Sequence, residues 1–396
     1  VGLGLAACSD EPDPWLREPV ALFQADALGT LLDRAARLDG TPLGQWAGRL
    51  RVQLDGCKTV WGHLPPPPAA SDPRELLATL ECLEPETTHE ASSADARHEA
   101  DAALRAVATE RRGPHAGWIQ WPLGEEGRLE LSIDVTSDEG ILVTGWLEPP
   151  GEPGALALLL PGREPAAPPA MATSQALLYA RMRPADGFHL SSLIPAGGQA
   201  DRLFALKSRL LEGALLSGTW EIAFMPPAPG GRLPLVVAAV HHRHEAPIRQ
   251  AIDETLDQLE RTWPIHRTPR RFVSGSGEEI EGGCFLDLPL LPELAPCWVL
   301  TPSALLVGYR SEALDAALAA PATDVVGRSP SPSAGDPELL RSGLEVHFDR
   351  MRSVDRRLAP DSRDVRPSDL WSRFELRLDG TETGRVALHA QLEARP

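Results

Sequence analysis

Positive charge is scarce in this chain of 396 residues: 38 Lys and Arg face 56 Asp and Glu, a formal net charge of -18. Such a surplus repels nucleic-acid phosphates and anionic lipid surfaces, which argues against a nucleic-acid partner. No run of eighteen or more apolar residues occurs, so the chain as given holds no complete membrane-spanning helix. Catalytic signatures are missing as well. There is no His-Glu-x-x-His, no Gly-x-Ser-x-Gly and no Gly-x-x-x-x-Gly-Lys, and these absences remove the usual marks of a zinc protease, a serine hydrolase and a phosphate loop. No Cys-x-x-Cys pair is present, which speaks against a structural zinc site. With 2 Tyr against 10 Trp, any aromatic lining falls to tryptophan, and Trp118, Trp121 and Trp146 cluster around one hairpin.

Proline is abundant at 39 and glycine at 34, which predicts short elements and long irregular connections. One stretch comes back. Gly127 to Glu148, GRLELSIDVTSDEGILVTGWLE, aligns without a gap to Ser372 to Glu393, SRFELRLDGTETGRVALHAQLE, with seven identities that include Leu131 with Leu376 and Asp134 with Asp379. Each copy alternates apolar and polar residues about a turn-forming centre, the pattern of a half-buried β-hairpin. The reading is an α+β fold: two repeated units of curved antiparallel sheet packed by helices, the second carrying a ferredoxin-like insertion of about 90 residues. The divisions are 1–19 as a signal remnant and tether, 20–150 as the first unit and 151–169 as a Pro-rich linker. Residues 170–320 form the second unit, 321–343 a linker and 344–396 the closing hairpin.

Within these divisions, apolar spacing predicts a strand over Val20 to Gln24 and a helix over Asp26 to Leu38. Leu50 to Asp55 alternates like a strand. A helix follows Glu245-Ala246-Pro247, Ser311 is placed to cap another, and Met351 to Asp364 reads as charged and irregular.

The N-terminal VGLGLAAC turns polar immediately after Cys8. Leu5-Ala6-Ala7-Cys8 resembles the lipobox of bacterial lipoproteins. That resemblance implies cleavage before Cys8, a diacylated thiol at Cys8, and a protein anchored to a membrane of the cell envelope, with Ser9 favouring the outer membrane. The seven residues before Cys8 read as the end of a signal peptide. The motif order from Ala170 to Ala320, ending in LTPSALLVGYRSEALDAAL, is also similar to uncharacterised exported bacterial proteins that share a domain of unknown function; it implies architecture and no catalytic residues. Export suits the remaining cysteines, Cys57, Cys82, Cys284 and Cys297. The local pairing joins Cys57 to Cys82 and Cys284 to Cys297, although four cysteines allow three pairings.

The strongest chemical cluster is His241-His242-Arg243-His244-Glu245. Alternation puts His242 and His244 on one face with Glu245 near, and His266 is a candidate third imidazole; together these residues would suit a transition metal and a metal-dependent hydrolase. A solvated strand end is the plainer account. Glu278, Glu279 and Glu281 form an acidic loop that would serve a glycosidase, yet such triplets usually face water. The expected function is therefore a non-catalytic envelope lipoprotein without a cofactor, holding a partner protein or an apolar ligand.

Overall fold

The computed structural model of the protein describes residues 20–38, 42–55, 59–63, 81–83, 117–123, 127–136, 138, 140–149, 169–171, 174–182, 216–242, 244–262, 265–286, 295–319, 342–359, 365–380 and 385–395. The chain divides into two compact units, Val1–Gly151 with Asp364–Arg366, and Glu152–Arg363 with Pro367–Pro396. Cys8 and Cys57 lie outside the described residues, and so does the side chain of Cys82.

The first unit contains β1 (Val20–Gln24), α1 (Ala25–Ala36), α2 (Pro42–Gln53), β2 (Thr59–His63), β3 (Glu81–Leu83), β4 (Gly117–Leu123), β5 (Gly127–Val135) and β6 (Ile141–Glu148). Its strands run in the order β6-β5-β4-β1-β2-β3, every pair antiparallel. In α1, Leu28 and Leu32 recur one turn apart and are buried. The expected strand at Leu50 to Asp55 is instead the last turn of α2 and the turn after it. Ala47, Leu50 and Leu54 recur at helical spacing, and burying all three on one stripe overrides the short alternation. Both helices pack on the sheet face that carries Ile119, Trp121 and Ile133.

The second unit holds β7 (Leu178–Met182), β8 (Leu216–Met225), β9 (Leu235–His242), α3 (Glu245–Thr262), β10 (His266–Val273), β11 (Glu279–Leu286), β12 (Cys297–Leu300) and β13 (Ala304–Gly308). It continues through α4 (Ser311–Leu318), β14 (Ser342–His347), α5 (Phe348–Leu358), α6 (Pro367–Leu370), β15 (Trp371–Gly380) and β16 (Val386–Ala394). The sheet order is β10-β11-β12-β13-β9-β8-β7-β14-β15-β16, again antiparallel throughout.

This architecture overturns the α+β expectation of repeated, helix-packed units with a ferredoxin-like insertion. Sixteen strands against six helices make the described residues mainly antiparallel sheet, and the two units differ in size, six strands against ten. A ferredoxin-like module sets its helices on one face of its own sheet and has parallel neighbours. Here β10 to β13 simply extend the sheet of β7 to β9. The helices lie on opposite faces: α3 packs through Ile248, Ile252 and Leu256 against Phe285 and Leu300, whereas α4 packs through Ala313, Leu314 and Ala317 with Val299 and Leu306. Each fully buried Ile or Leu of that kind contributes about 1.5–3 kcal/mol, enough to hold both helices down. Two smaller expectations also change. Met351 to Leu358 is helical within α5, and Ser311 is the first residue of α4, whose N-cap is Arg310 with no side-chain cap bond.

The two recurring hairpins do share a register. Arg128 pairs Glu148 and Leu131 pairs Gly145 in the first; Arg373 pairs Glu393 and Leu376 pairs Ala390 in the second.

Candidate functional site

Strand registers in the second unit sort its side chains into two unlike faces. On one, a single row runs Pro269, Gly283, Trp298, Val307, Ala238, Ile222, Ala180, Leu344, Leu376, Ala390, one residue from each of the ten strands, each directly opposite the next. None is charged or hydrogen-bonding through its side chain apart from the Trp298 indole. At about 4.8 Å per strand the row spans about 43 Å along the sheet. A second row beside it, Val236, Phe224, Leu178, Val346, Phe374 and Leu392, is equally apolar, and every member is half-buried. Val307 is 41% exposed. Apolar surface of that extent left in contact with solvent marks a binding face more often than a finished core.

From β7 to β9 and on β14 and β15 the charges lie on the opposite face, buried or half-buried. Arg181 and Glu221 are directly opposed on β7 and β8, with side chains 1% and 0% exposed. His241 Nε2 donates to Glu221 Oε1 at 2.6 Å, the Arg181 Nε lies 3.9 Å from the same oxygen, and the Ala170 amide donates to both carboxylate oxygens at 3.1 and 3.2 Å. Burial, and after it the Glu221 charge, holds the adjacent Tyr179 hydroxyl well above the usual tyrosine range. Glu345, Glu375, Arg373 and Arg377 extend this polar strip on β14 and β15. Burial alone would raise the Glu345 carboxyl, but the His347 hydrogen bond and the Arg373 and Arg377 charges outweigh it and hold it below the usual range. Glu221 is the shared partner of this network, and His241 Nδ1 is buried in it without a hydrogen-bond partner among the described residues.

The histidine cluster separates rather than converges. His242 is buried, with Nε2 donating to the Thr301 carbonyl at 3.0 Å, and burial lowers its imidazole below the usual range. His244 is exposed beyond the end of β9, where strand alternation no longer applies. Glu245 opens α3 and accepts from Arg249 at 2.7 Å, and His266 is exposed at the start of β10. Among the described residues no group of three or more His, Cys, Asp or Glu is placed to hold a metal ion. The acidic loop is a turn: the Glu278 amide donates to Ser274 Oγ at 3.1 Å, and Gly277 supplies φ 82°.

Cys284 and Cys297 form a disulfide between directly paired positions of β11 and β12. One register step away, on the apolar face, Trp298 lies against Gly283. A Cβ at Gly283 would sit 2.5 Å from the indole, so only glycine permits that approach. Together with Ile252 and Leu300, this ring floors a groove of about 190 Å³ between α3 and β10 to β12, with Arg249, Asp253, Arg267 and Glu281 at its mouth. Of the other tryptophans, Trp118 is buried and donates to Glu130 at 3.3 Å, Trp121 packs under α1 and α2, and Trp146 is 48% exposed.

Sequence reasoning missed the buried trio and the apolar row. Glu221 alternates with Trp220 and Ile222 and so reads as the wet side of a strand; only the pairing of β7, β8 and β9 reveals its partners. No helix of the described residues is long and apolar enough to cross a membrane. Comparison with models of protein families, with curated proteins and with solved structures finds no match for the chain.

Proposed function

We propose that this protein is a non-catalytic lipoprotein of the cell envelope, held on a membrane by lipid at Cys8, that binds an apolar ligand on the half-exposed face of its second sheet. The ten-strand apolar row carries the reading: it is aligned and uncharged, and from Trp298 to Leu376 its side chains are incompletely covered, while Arg181, Glu221 and His241 of the opposite face are buried against each other. Anchoring agrees with the sequence around Cys8. The Cys284–Cys297 bridge supports an oxidising compartment such as the periplasm or the cell surface. A partner protein with a matching apolar surface is the variant of this proposal that uses the same face. The metal-dependent alternative draws no support from the separated histidines.

Mass spectrometry of the full chain purified from its own membrane tests the proposal. It expects a diacylated N-terminal Cys8 and a co-purifying apolar molecule, with that molecule lost from Ile222→Glu. An unmodified Cys8 together with no retained apolar molecule or protein partner would overturn it.

A further inference from the structure

The groove at the α3 end of the sheet continues the apolar row, because Trp298 belongs to both. Its volume, about 190 Å³, falls below the 300–1,000 Å³ of pockets that engulf a whole small molecule. It therefore suits one end of an elongated ligand whose remainder lies on the row. The mouth tells what that end carries. Arg249 is held by Glu245 at 2.7 Å, Arg267 by Asp257 at 2.6 Å and by Glu260 at 3.6 Å, and Arg271, on β10 directly opposite Glu281, by Glu279 at 3.2 Å. The guanidinium groups are thus already neutralised. Asp253 reaches Arg267 only at 3.8 Å, and Glu281 has no ion-pair partner among the described residues. A carboxylate without an ion-pair partner in a groove that an apolar ring also lines suits an ammonium group: the anion attracts the charge, and the ring packs against the carbons around it.

Resting on the apolar-ligand reading above, we propose that the groove is the head-group subsite for a cationic amphiphile, an ammonium head against Trp298 and Glu281 with its apolar chain laid along the Val307, Ala238, Ile222 row. A neutral head would leave Glu281 unused, and an anionic head would meet like charge.

Calorimetric titration of the full chain with dodecyltrimethylammonium, dodecyl maltoside and dodecyl sulfate, each below its micelle concentration, tests this with one chain length and three heads. The expected order is cationic tightest, by about 10-fold over neutral, and anionic weakest. Glu281→Gln should erase that preference and leave the neutral probe unchanged. Trp298→Ala should weaken the cationic and neutral probes alike, and Glu312→Gln, an exposed carboxylate on α4, should change nothing. Equal binding of the cationic and neutral probes, or a preference that survives Glu281→Gln, overturns the head-group assignment while the apolar-ligand reading stands. Failure of all three probes to bind overturns both.

Discussion

Two hairpins with the same register, β5–β6 and β15–β16, end up in different surroundings. Both set Arg and Glu two residues apart on one face: Arg128 lies 3.8 Å from Glu130, and Arg373 lies 2.9 Å from Glu375. In the first unit that face meets Trp118, and Arg128 also reaches Glu148 on the neighbouring strand at 3.7 Å. In the second, Arg373 turns to Glu345 on β14 at 3.4 Å, Glu375 also pairs with Arg377, and Glu375 is only 7% exposed. The apolar faces diverge as well. Ile119, Trp121 and Ile133 lie against the core of α1 and α2, whereas the row through Leu344 and Leu376 is half-buried. Local pattern settles pairing and register. What covers a face decides whether it is core or open surface, and which charges become buried.

Breaking the buried polar strip should produce the largest effect. Glu221→Ala leaves Arg181 and His241 facing each other inside the second unit without their carboxylate, and the expected loss is about 3–5 kcal/mol, read as a lower urea midpoint. The matched pair Glu375→Ala and Glu130→Ala sharpens the comparison between hairpins. The first removes a buried partner of two arginines, the second a half-buried carboxylate held by the Trp118 indole and, at 3.8 Å, by Arg128, so Glu375→Ala should be the more damaging; equal losses would show that the burial difference is immaterial.

Next comes the bridge, present only in the second unit among the described residues. Reduction of Cys284–Cys297 should lower that unit's unfolding midpoint by an amount equivalent to about 2–4 kcal/mol and leave the first unit's transition in place. A smaller and opposite asymmetry concerns one position. Gly145 and Ala390 occupy the same place in the two registers, but a Cβ at Gly145 would run into the Glu130 carbonyl. Gly145→Ala should cost about 1–3 kcal/mol, while Ala390→Gly should cost about 0.5–1 kcal/mol.

The pH dependence is the mildest effect. His242 is held below its usual range by burial, so the folded state prefers the neutral ring; the stability this provides is complete above about pH 6.5 and declines as pH falls through the depressed folded value. Glu345, lowered against the raising effect of burial, contributes stability that is complete above about pH 4.3 and is lost further into acid. Glu345→Gln should flatten the lower limb of the stability profile without moving the upper one.

Much of the strand content was readable from alternation: Val20 to Gln24, both hairpins and the strands about Trp220 and Val237 lie where period-2 patterning puts them. Three things were not. His266 to Val273 carries three arginines in eight residues and contains Pro269, so β10 carries no alternation worth reading, and it is an edge strand, where proline is tolerated. Leu50 to Asp55 is too short for two periods to be told apart. The site itself depends on ten registers at once; Trp298 and Ile222 are ordinary strand residues until β9, β12 and β13 align them. Cys284–Cys297, 13 residues apart, is the local option among the three pairings the sequence left open.

The central claim is that the half-exposed face of the second sheet, and not the helix-covered face of the first, holds the ligand. Titration of a polarity-sensitive apolar fluorophore into Leu344→Asp and Ile133→Asp measures it most directly. The account predicts that Leu344→Asp abolishes binding with little loss of stability, and that Ile133→Asp destabilises the first unit yet binds as the unaltered chain does. Undiminished binding by Leu344→Asp, or binding lost only from Ile133→Asp, would contradict it.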